Sequence, residues 1–284
     1  MLIIGCGYTG RLLAARMLLS GRSVTGVVTT RQSAVHLERM GVAPVVADLD
    51  DPSADLRPGR HDRIFYLAPP PDSGDRDTRL RVFLDRLRAA RITPRIVYTS
   101  TTGVYGDCRG ERVDETRPLN PSTDRARRRA DAEQQLLSWR EGTGGQAVIL
   151  RVAGIYGPGR VPTAYLKSGG PVLTDQDSPF SNRIHVDDLV SVCLAAMDFA
   201  RDGGIYNVSD GAPGRMGEYY DLLADLQGLP RPPRIGMAAA EKEMSSGMLS
   251  FLRENRRIDS SRLADELGVR LRYPTFREGL PASL

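Results

Sequence analysis

Two groups of residues in this chain have the types and spacing to do chemistry. Gly5, Gly7 and Gly10 fall in the stretch Gly5-Cys6-Gly7-Tyr8-Thr9-Gly10, a G-x-G-x-x-G spacing. In such a stretch Gly5 lets the chain turn tightly, Gly7 lets the backbone approach a pyrophosphate, and Gly10 lets a helix pack closely on a strand. Unpaired N–H groups at the start of that helix then donate to the phosphates. Gly5, Gly7, Tyr8, Thr9 and Gly10 are therefore candidate cofactor-binding residues. The second group is the hydroxyl run Thr99-Ser100-Thr101-Thr102. At the C-terminal end of a central strand these hydroxyls lie above a dinucleotide crevice, although such residues also serve as local turn and cap formers.

Both groups need a scaffold, and the periodicity supplies one. Residues 1–4 form an apolar run, and residues 11–19 carry apolar side chains at helical spacing, which reads as a first β-turn-α unit. Strands follow over 23–28, 43–47, 63–67, 95–98 and 147–152, with helices over 32–40, 76–91 and 124–140 between them. This alternation predicts an α/β fold, a doubly wound Rossmann-type parallel sheet. Residues 107–121 read as an irregular loop. Beyond residue 159 the pattern loosens into a short helix near 162–170, helices over 187–197 and 216–226, a strand over 205–208, a helix over 238–253 and a small helix at 260–267. The expected division is a dinucleotide-binding domain of residues 1–157 plus 183–210, with a small C-terminal substrate lobe of 158–182 plus 211–284. The cleft between them is the expected substrate site.

The second strand ends in Thr29-Thr30-Arg31. An NAD-selective site normally carries an Asp or Glu there to accept from the ribose hydroxyls. Hydroxyls and a guanidinium instead suit a 2′-phosphate, so Thr30 and Arg31 favour NADP over NAD; the plainer alternative is that Arg31 only begins the next helix in solvent. Asp48 and Leu49 follow the third strand, at the adenine end. Ala68 and Pro69 open the run Ala68-Pro69-Pro70-Pro71, whose prolines lack backbone donors and suit a rigid wall beside the cofactor.

The net charge is +4, from 39 Lys and Arg against 35 Asp and Glu, and Lys167 and Lys242 are the only lysines. Arginine favours bidentate contact with phosphate or carboxylate, so an anionic cofactor or substrate fits. The densest cluster, Arg125 to Arg129, has no interleaved aromatics, and nucleic acid is not expected as a partner. Cys6, Cys108 and Cys193 are far apart and form no metal-binding or disulfide pattern, and His36, His61 and His185 are scattered. No metal site is expected. The chain has no apolar run long enough to span a membrane and no secretory-signal pattern, so a cytoplasmic location is expected.

In order and spacing the chain resembles the extended short-chain dehydrogenase/reductase family, the NAD-dependent epimerase/dehydratase type. The residues that carry the resemblance are GCGYTG at 5–10, Asp48-Leu49, YTSTTGVYG at 98–106, RVAGIYGPG at 151–159, RIHVDD at 183–188, YNVSDG at 206–211 and RIDSSRLADELG at 257–268. The resemblance implies a Ser or Thr after the fifth strand, here Thr101, which would hydrogen-bond the reacting oxygen. It also implies a Tyr-x-x-x-Lys pair on the next helix. Here Arg125 stands at the Tyr position and Arg129 at the Lys position. Arg129 can bind ribose or phosphate, but a guanidinium is a poor general acid or base. Tyr105 and Tyr156 are the replacement proton donors to consider, since each follows a strand end; packing is the alternative for both. Asn182 and Arg183 are candidate substrate-binding residues, and His185 matches the family's structural histidine. A homodimer through the two long helices is a further implication of the resemblance.

The resemblance and these departures predict an NADP-dependent oxidoreductase or reductase-like enzyme acting on a small carbonyl or imine substrate. The alternatives are a sugar-nucleotide epimerase with a replaced base and a non-catalytic NADP-binding regulator or sensor. Thr102-Gly103 where dehydratases of the family carry an acidic pair, and Ser181 where many epimerases carry an arginine, weaken the sugar-nucleotide reading.

Overall fold

A computed structural model describes residues 1–284. Seven strands make one sheet: β1 (Leu2–Ile4), β2 (Thr25–Val28), β3 (Ala43–Val46), β4 (Arg63–Tyr66), β5 (Arg95–Thr101), β6 (Gln146–Val152) and β7 (Ile205–Val208). Their order is β3-β2-β1-β4-β5-β6-β7 and every neighbouring pair is parallel. The order reverses between β1 and β4, the point where a doubly wound sheet opens its crevice.

The strands are apolar runs rather than alternating ones because helices cover both faces. Side chains of period two are shared between two cores. Ile3, Phe65, Val97 and Val148 face α1 (Tyr8–Leu19), while Ile4, Ile64, Tyr66, Ile96, Tyr98 and Ile149 face the other way. That second core is closed by Leu80, Phe83, Leu84 and Leu87 of α3 (Thr78–Ala90) and by Leu136 and Trp139 of α4 (Asp124–Thr143). Between α1 and α3 in the chain, α2 (Arg31–Arg39) covers β2 and β3.

The small lobe has its own apolar centre. Leu166 of α5 (Thr163–Lys167) and Tyr219, Tyr220 and Leu223 of α7 (Met216–Gln227) pack there with Tyr156 and Phe276. The intervening α6 (Val186–Phe199) belongs to the large body, where Leu189, Val192 and Cys193 join the core under α1. The motif at 183–188 is largely structural. His185 Nδ1 accepts from the Asp187 amide at the start of α6 (3.2 Å), and Asp188 accepts from the amides of Arg272 (2.7 Å) and Tyr273 (2.9 Å).

Three local differences from the sequence reading have plain causes. Strand β5 runs on to Thr101, because its last residues pair with Leu150, Arg151 and Val152 of β6. The 107–121 loop carries a two-residue strand, Arg112–Val113, held by Arg257–Ile258 from the tail. The helix expected over 238–253 is two helices, α8 (Met237–Glu243) and α9 (Ser246–Leu252), because the Ser245 hydroxyl accepts from the Met248 amide and starts a new turn. Leu263, Leu267 and Val269 pack into the core of the large body, so the tail does not stay with the lobe. No helix is long and apolar enough to cross a membrane.

Candidate active site

The glycine turn leads directly from β1 into α1. Gly5 has φ +84°, and a Cβ there would lie 2.6 Å from the backbone N and Cα of Ala68. The turn therefore passes against the end of β4 at a distance only glycine permits. A Cβ on Gly10 would come within 3.0 Å of the Gly5 carbonyl and 3.2 Å of Ile3, so this glycine sets the helix-to-strand distance. A Cβ on Gly7 would meet nothing within 4 Å, because Gly7 faces an open cavity of about 570 Å³ at the N-terminus of α1.

That cavity fits a dinucleotide cradle. Gly5, Gly7, Tyr8, Thr9 and Gly10 line one wall and Asp48 and Leu49 the adenine end. Ala68, Pro69, Thr99, Ser100 and Arg129 line the end toward the lobe. Thr30 and Arg31 do not line it. The Thr30 hydroxyl is used as the cap of α2, accepting from the Ser33 amide (3.2 Å), and Arg31 is exposed on the first turn of that helix. Thr29 and Ser33 line the cavity there instead, one from the strand end and the other a turn into α2. Arg79 was not singled out in the sequence. Its guanidinium pairs with Asp50 and donates to the carbonyls of Pro69 and Pro70 (3.2 Å each). It thereby fixes the proline wall, which has no backbone donors of its own.

A second cavity of about 580 Å³ continues from the first and shares Ser100, Arg129 and Arg160 with it. Thr101 lines it from the end of β5, with Oγ1 accepting from the Gly103 amide (3.2 Å). Its hydroxyl proton has no protein acceptor and is free for a ligand. Arg129 is anchored through Nη1, which donates to the Thr99 carbonyl (2.8 Å), the Tyr98 hydroxyl (2.9 Å) and the Ala68 carbonyl (3.4 Å). Arg125, one turn earlier on α4, lays its guanidinium over the ring of Phe251 at 4.2 Å. The two arginines at the Tyr and Lys positions thus both face this cavity.

Four sequence candidates turn out to be committed elsewhere. The Tyr105 hydroxyl is buried, donating to Asn207 Oδ1 (2.8 Å) and accepting from Arg151 Nη1 (2.8 Å). Burial pushes its pKa up to about 12 against the opposing pull of Arg151, and it reaches neither cavity. Tyr156 lies in the lobe core against Tyr219 and His185, outside both cavities. Arg183 is stacked between the rings of Tyr219 (4.2 Å) and Phe276 (5.7 Å) and also lies outside them. Asn182 lines the second cavity, but its carboxamide is engaged with the tail: Nδ2 donates to the Arg256 carbonyl (3.0 Å) and Oδ1 accepts from the Ile258 amide (2.8 Å). Ser100 lines both cavities, but its hydroxyl donates to buried Glu133. The second cavity therefore has no tyrosine, histidine, lysine or cysteine side chain in its wall.

Asp210, in the loop after β7, faces Arg183 with one carboxylate oxygen buried and unpartnered. Burial raises its pKa to about 7, against the pull of the Ala212 amide and Arg183. A carboxyl raised in the folded state stabilises fully below its unfolded pKa, near 3.9, and that contribution is lost as pH rises through about 7. Stability should fall between pH 4 and 7, and Asp210→Asn should flatten that slope in denaturant titrations at a series of pH values. An unchanged slope would place the titration elsewhere.

Residues 1–209 match the profile of the NAD dependent epimerase/dehydratase family. The chain belongs to this family. Within it, the chain is 32% identical over 285 residues to Protein YeeZ of Escherichia coli, covering 96% of this chain and 95% of that one. It is 28% identical over 252 residues, 79% of this chain and 72% of the other, to a 4-hydroxy-2-methyl-3-oxo-4-farnesyl-3,4-dihydroquinoline-1-oxide ketoreductase of Stigmatella aurantiaca. A solved structure of a functionally unknown conserved protein from Silicibacter pomeroyi superposes with TM-score 0.86 at 33% identity, covering 99% of this chain and 96% of that one. Epimerase/dehydratase family members bind a nicotinamide cofactor, and the glycine turn, the proline wall and the cavity at α1 are the parts of this chain that fit one.

Proposed function

We propose that this protein is an NADP-dependent reductase acting on a small carbonyl or imine substrate bound in the second cavity. The observation that carries the reading is the placement of the free Thr101 hydroxyl and the anchored Arg129 guanidinium on one cavity that opens from the cofactor cradle. NADPH, when bound, supplies the hydride. Thr101 donates a hydrogen bond to the oxygen or nitrogen that gains negative charge, and Arg129 stabilises that charge without losing its own proton. With no tyrosine, histidine or lysine in the wall, the proton comes from water admitted to the cleft. The ketoreductase relative supports reduction as the reaction class. The absence of an acidic residue at the end of β2, with Thr29 and Ser33 on the cavity wall, supports NADP.

Fluorescence titration is expected to show NADPH binding at least about tenfold tighter than NADH, the scale of one or two charge-assisted hydrogen bonds. A panel of carbonyl and imine compounds followed by NADPH loss tests turnover. Thr101→Val should lower turnover by about 10- to 100-fold, the effect of removing one donor from the reacting atom, while NADPH affinity stays unchanged. Undiminished turnover in Thr101→Val would remove the hydroxyl from the mechanism. Tight NADPH binding with no turnover of any compound would favour a cofactor-binding regulator, which the lack of a tyrosine, histidine or lysine in the wall also suits.

A further inference from the structure

The second cavity gathers arginines that make no direct ion pair within the protein. Of its acidic residues, Glu254 is already paired with Arg256 (2.7 Å) and accepts from Ser122 (2.8 Å), and Asp72 lies exposed at the mouth. Arg125, Arg128, Arg129 and Arg160 have no carboxylate oxygen within 4.0 Å. Arg129 and Arg160 also line the cofactor cradle, where dinucleotide phosphates can balance them. Arg125 and Arg128 line only the second cavity.

These two arginines differ in burial, Arg128 being buried and Arg125 exposed, but both line the same cavity. Arg128 is buried, donates to the Gly74 carbonyl, and leaves its Nε with no partner. The Arg125 guanidinium makes no hydrogen bond within the protein and sits over the Phe251 ring at 4.2 Å, which leaves its N–H donors for a ligand. Residues three and four apart on a helix are neighbours, so Arg125, Arg128 and Arg129 repel one another until an anion sits among them. Beside them the wall is apolar: Phe251, Met248 and Leu252 of α9 and Met216 at the start of α7.

We propose that the substrate carries an anionic head, a carboxylate or a phosphate monoester, held by Arg125 with Arg128, on an apolar body that rests against Phe251, Met248 and Met216. This names the substrate class for the reductase reading above and rests on it only for the identity of the cavity as the substrate site. The arginine at the position where the family's tyrosine would stand thus serves recognition rather than proton transfer, because a guanidinium keeps its proton.

Isothermal titration of the full chain, with and without NADPH, compares cinnamate and phenyl phosphate with the neutral cinnamamide. At least one acid should bind tenfold or more tightly than the amide, and the better acid shows which head the site prefers. In Arg125→Gln that ratio should fall to about threefold or less. It should persist in Arg112→Gln, whose guanidinium pairs with Asp259 away from the cavity. Equal binding of acid and amide, no binding of either acid at millimolar concentration, or a ratio unchanged in Arg125→Gln overturns the proposal. NADPH binding on the same samples separates the two claims. Acid preference without NADPH binding sinks the reductase reading and keeps the anion site, and NADPH binding without acid preference does the reverse.

Discussion

Replacing Glu133 with alanine should lower the free energy of unfolding by about 3–5 kcal/mol, the usual cost of stranding one member of a buried ion pair. Glu133 is 2% exposed, and both its oxygens are taken by the Arg151 guanidinium, at 2.8 Å to Nη2 and 3.2 Å to Nε. It also accepts from the Ser100 hydroxyl. Arg151 passes the network on to Tyr105, Tyr105 to Asn207, and Asn207 to the carbonyls of Val113 and Asp259. The alanine leaves a buried guanidinium with no counter-charge directly behind the end of β5. Because Ser100 precedes Thr101, the same change should reduce any turnover by more than the loss of folded protein explains. Guanidinium chloride titration reads the first effect, and a loss under about 1 kcal/mol would show that water enters to solvate Arg151. Removing both charges with Glu133→Leu and Arg151→Met should recover most of the stability, since paired apolar replacements of buried ion pairs are often neutral.

The glycine turn should separate binding from folding. Gly7→Val is expected to weaken NADPH binding by 100-fold or more, equivalent to about 2.7 kcal/mol, with an unchanged melting temperature. Its side chain enters open cavity, where a Cβ meets no protein atom within 4 Å. Gly5→Ala should do the opposite and cost well over 1 kcal/mol of stability: a left-handed conformation alone costs an L-residue about 1–2 kcal/mol. Here φ is +84° and the new methyl would sit 2.6 Å from the Ala68 backbone. Fluorescence titration and thermal melting on the two variants check both statements. A Gly7→Val protein that binds NADPH like the parent would place the cofactor outside this cradle.

What was legible in the sequence is what neighbouring residues decide among themselves. The apolar runs of the central strands, the helical spacing of Leu80, Phe83, Leu84 and Leu87, and the three glycines of the first turn act within a few residues of each other, so their periods and spacing show without a partner. The sheet, its helices and the cofactor cradle were therefore readable in advance. The fate of a polar side chain was not, because it depends on atoms brought in from far along the chain. Tyr105 stands just beyond a strand end, as a proton donor would, yet its hydroxyl is taken by Asn207, 102 residues away. Tyr156 and Arg183 flank the pocket in sequence, and aromatic packing around Tyr219 draws both into the lobe. Conversely Arg125 and Arg129 looked like the loss of a catalytic pair. Tertiary structure decided that both face one cavity with no carboxylate oxygen within 4.0 Å of either, because α4 presents them one turn apart and α9 sets Phe251 against Arg125.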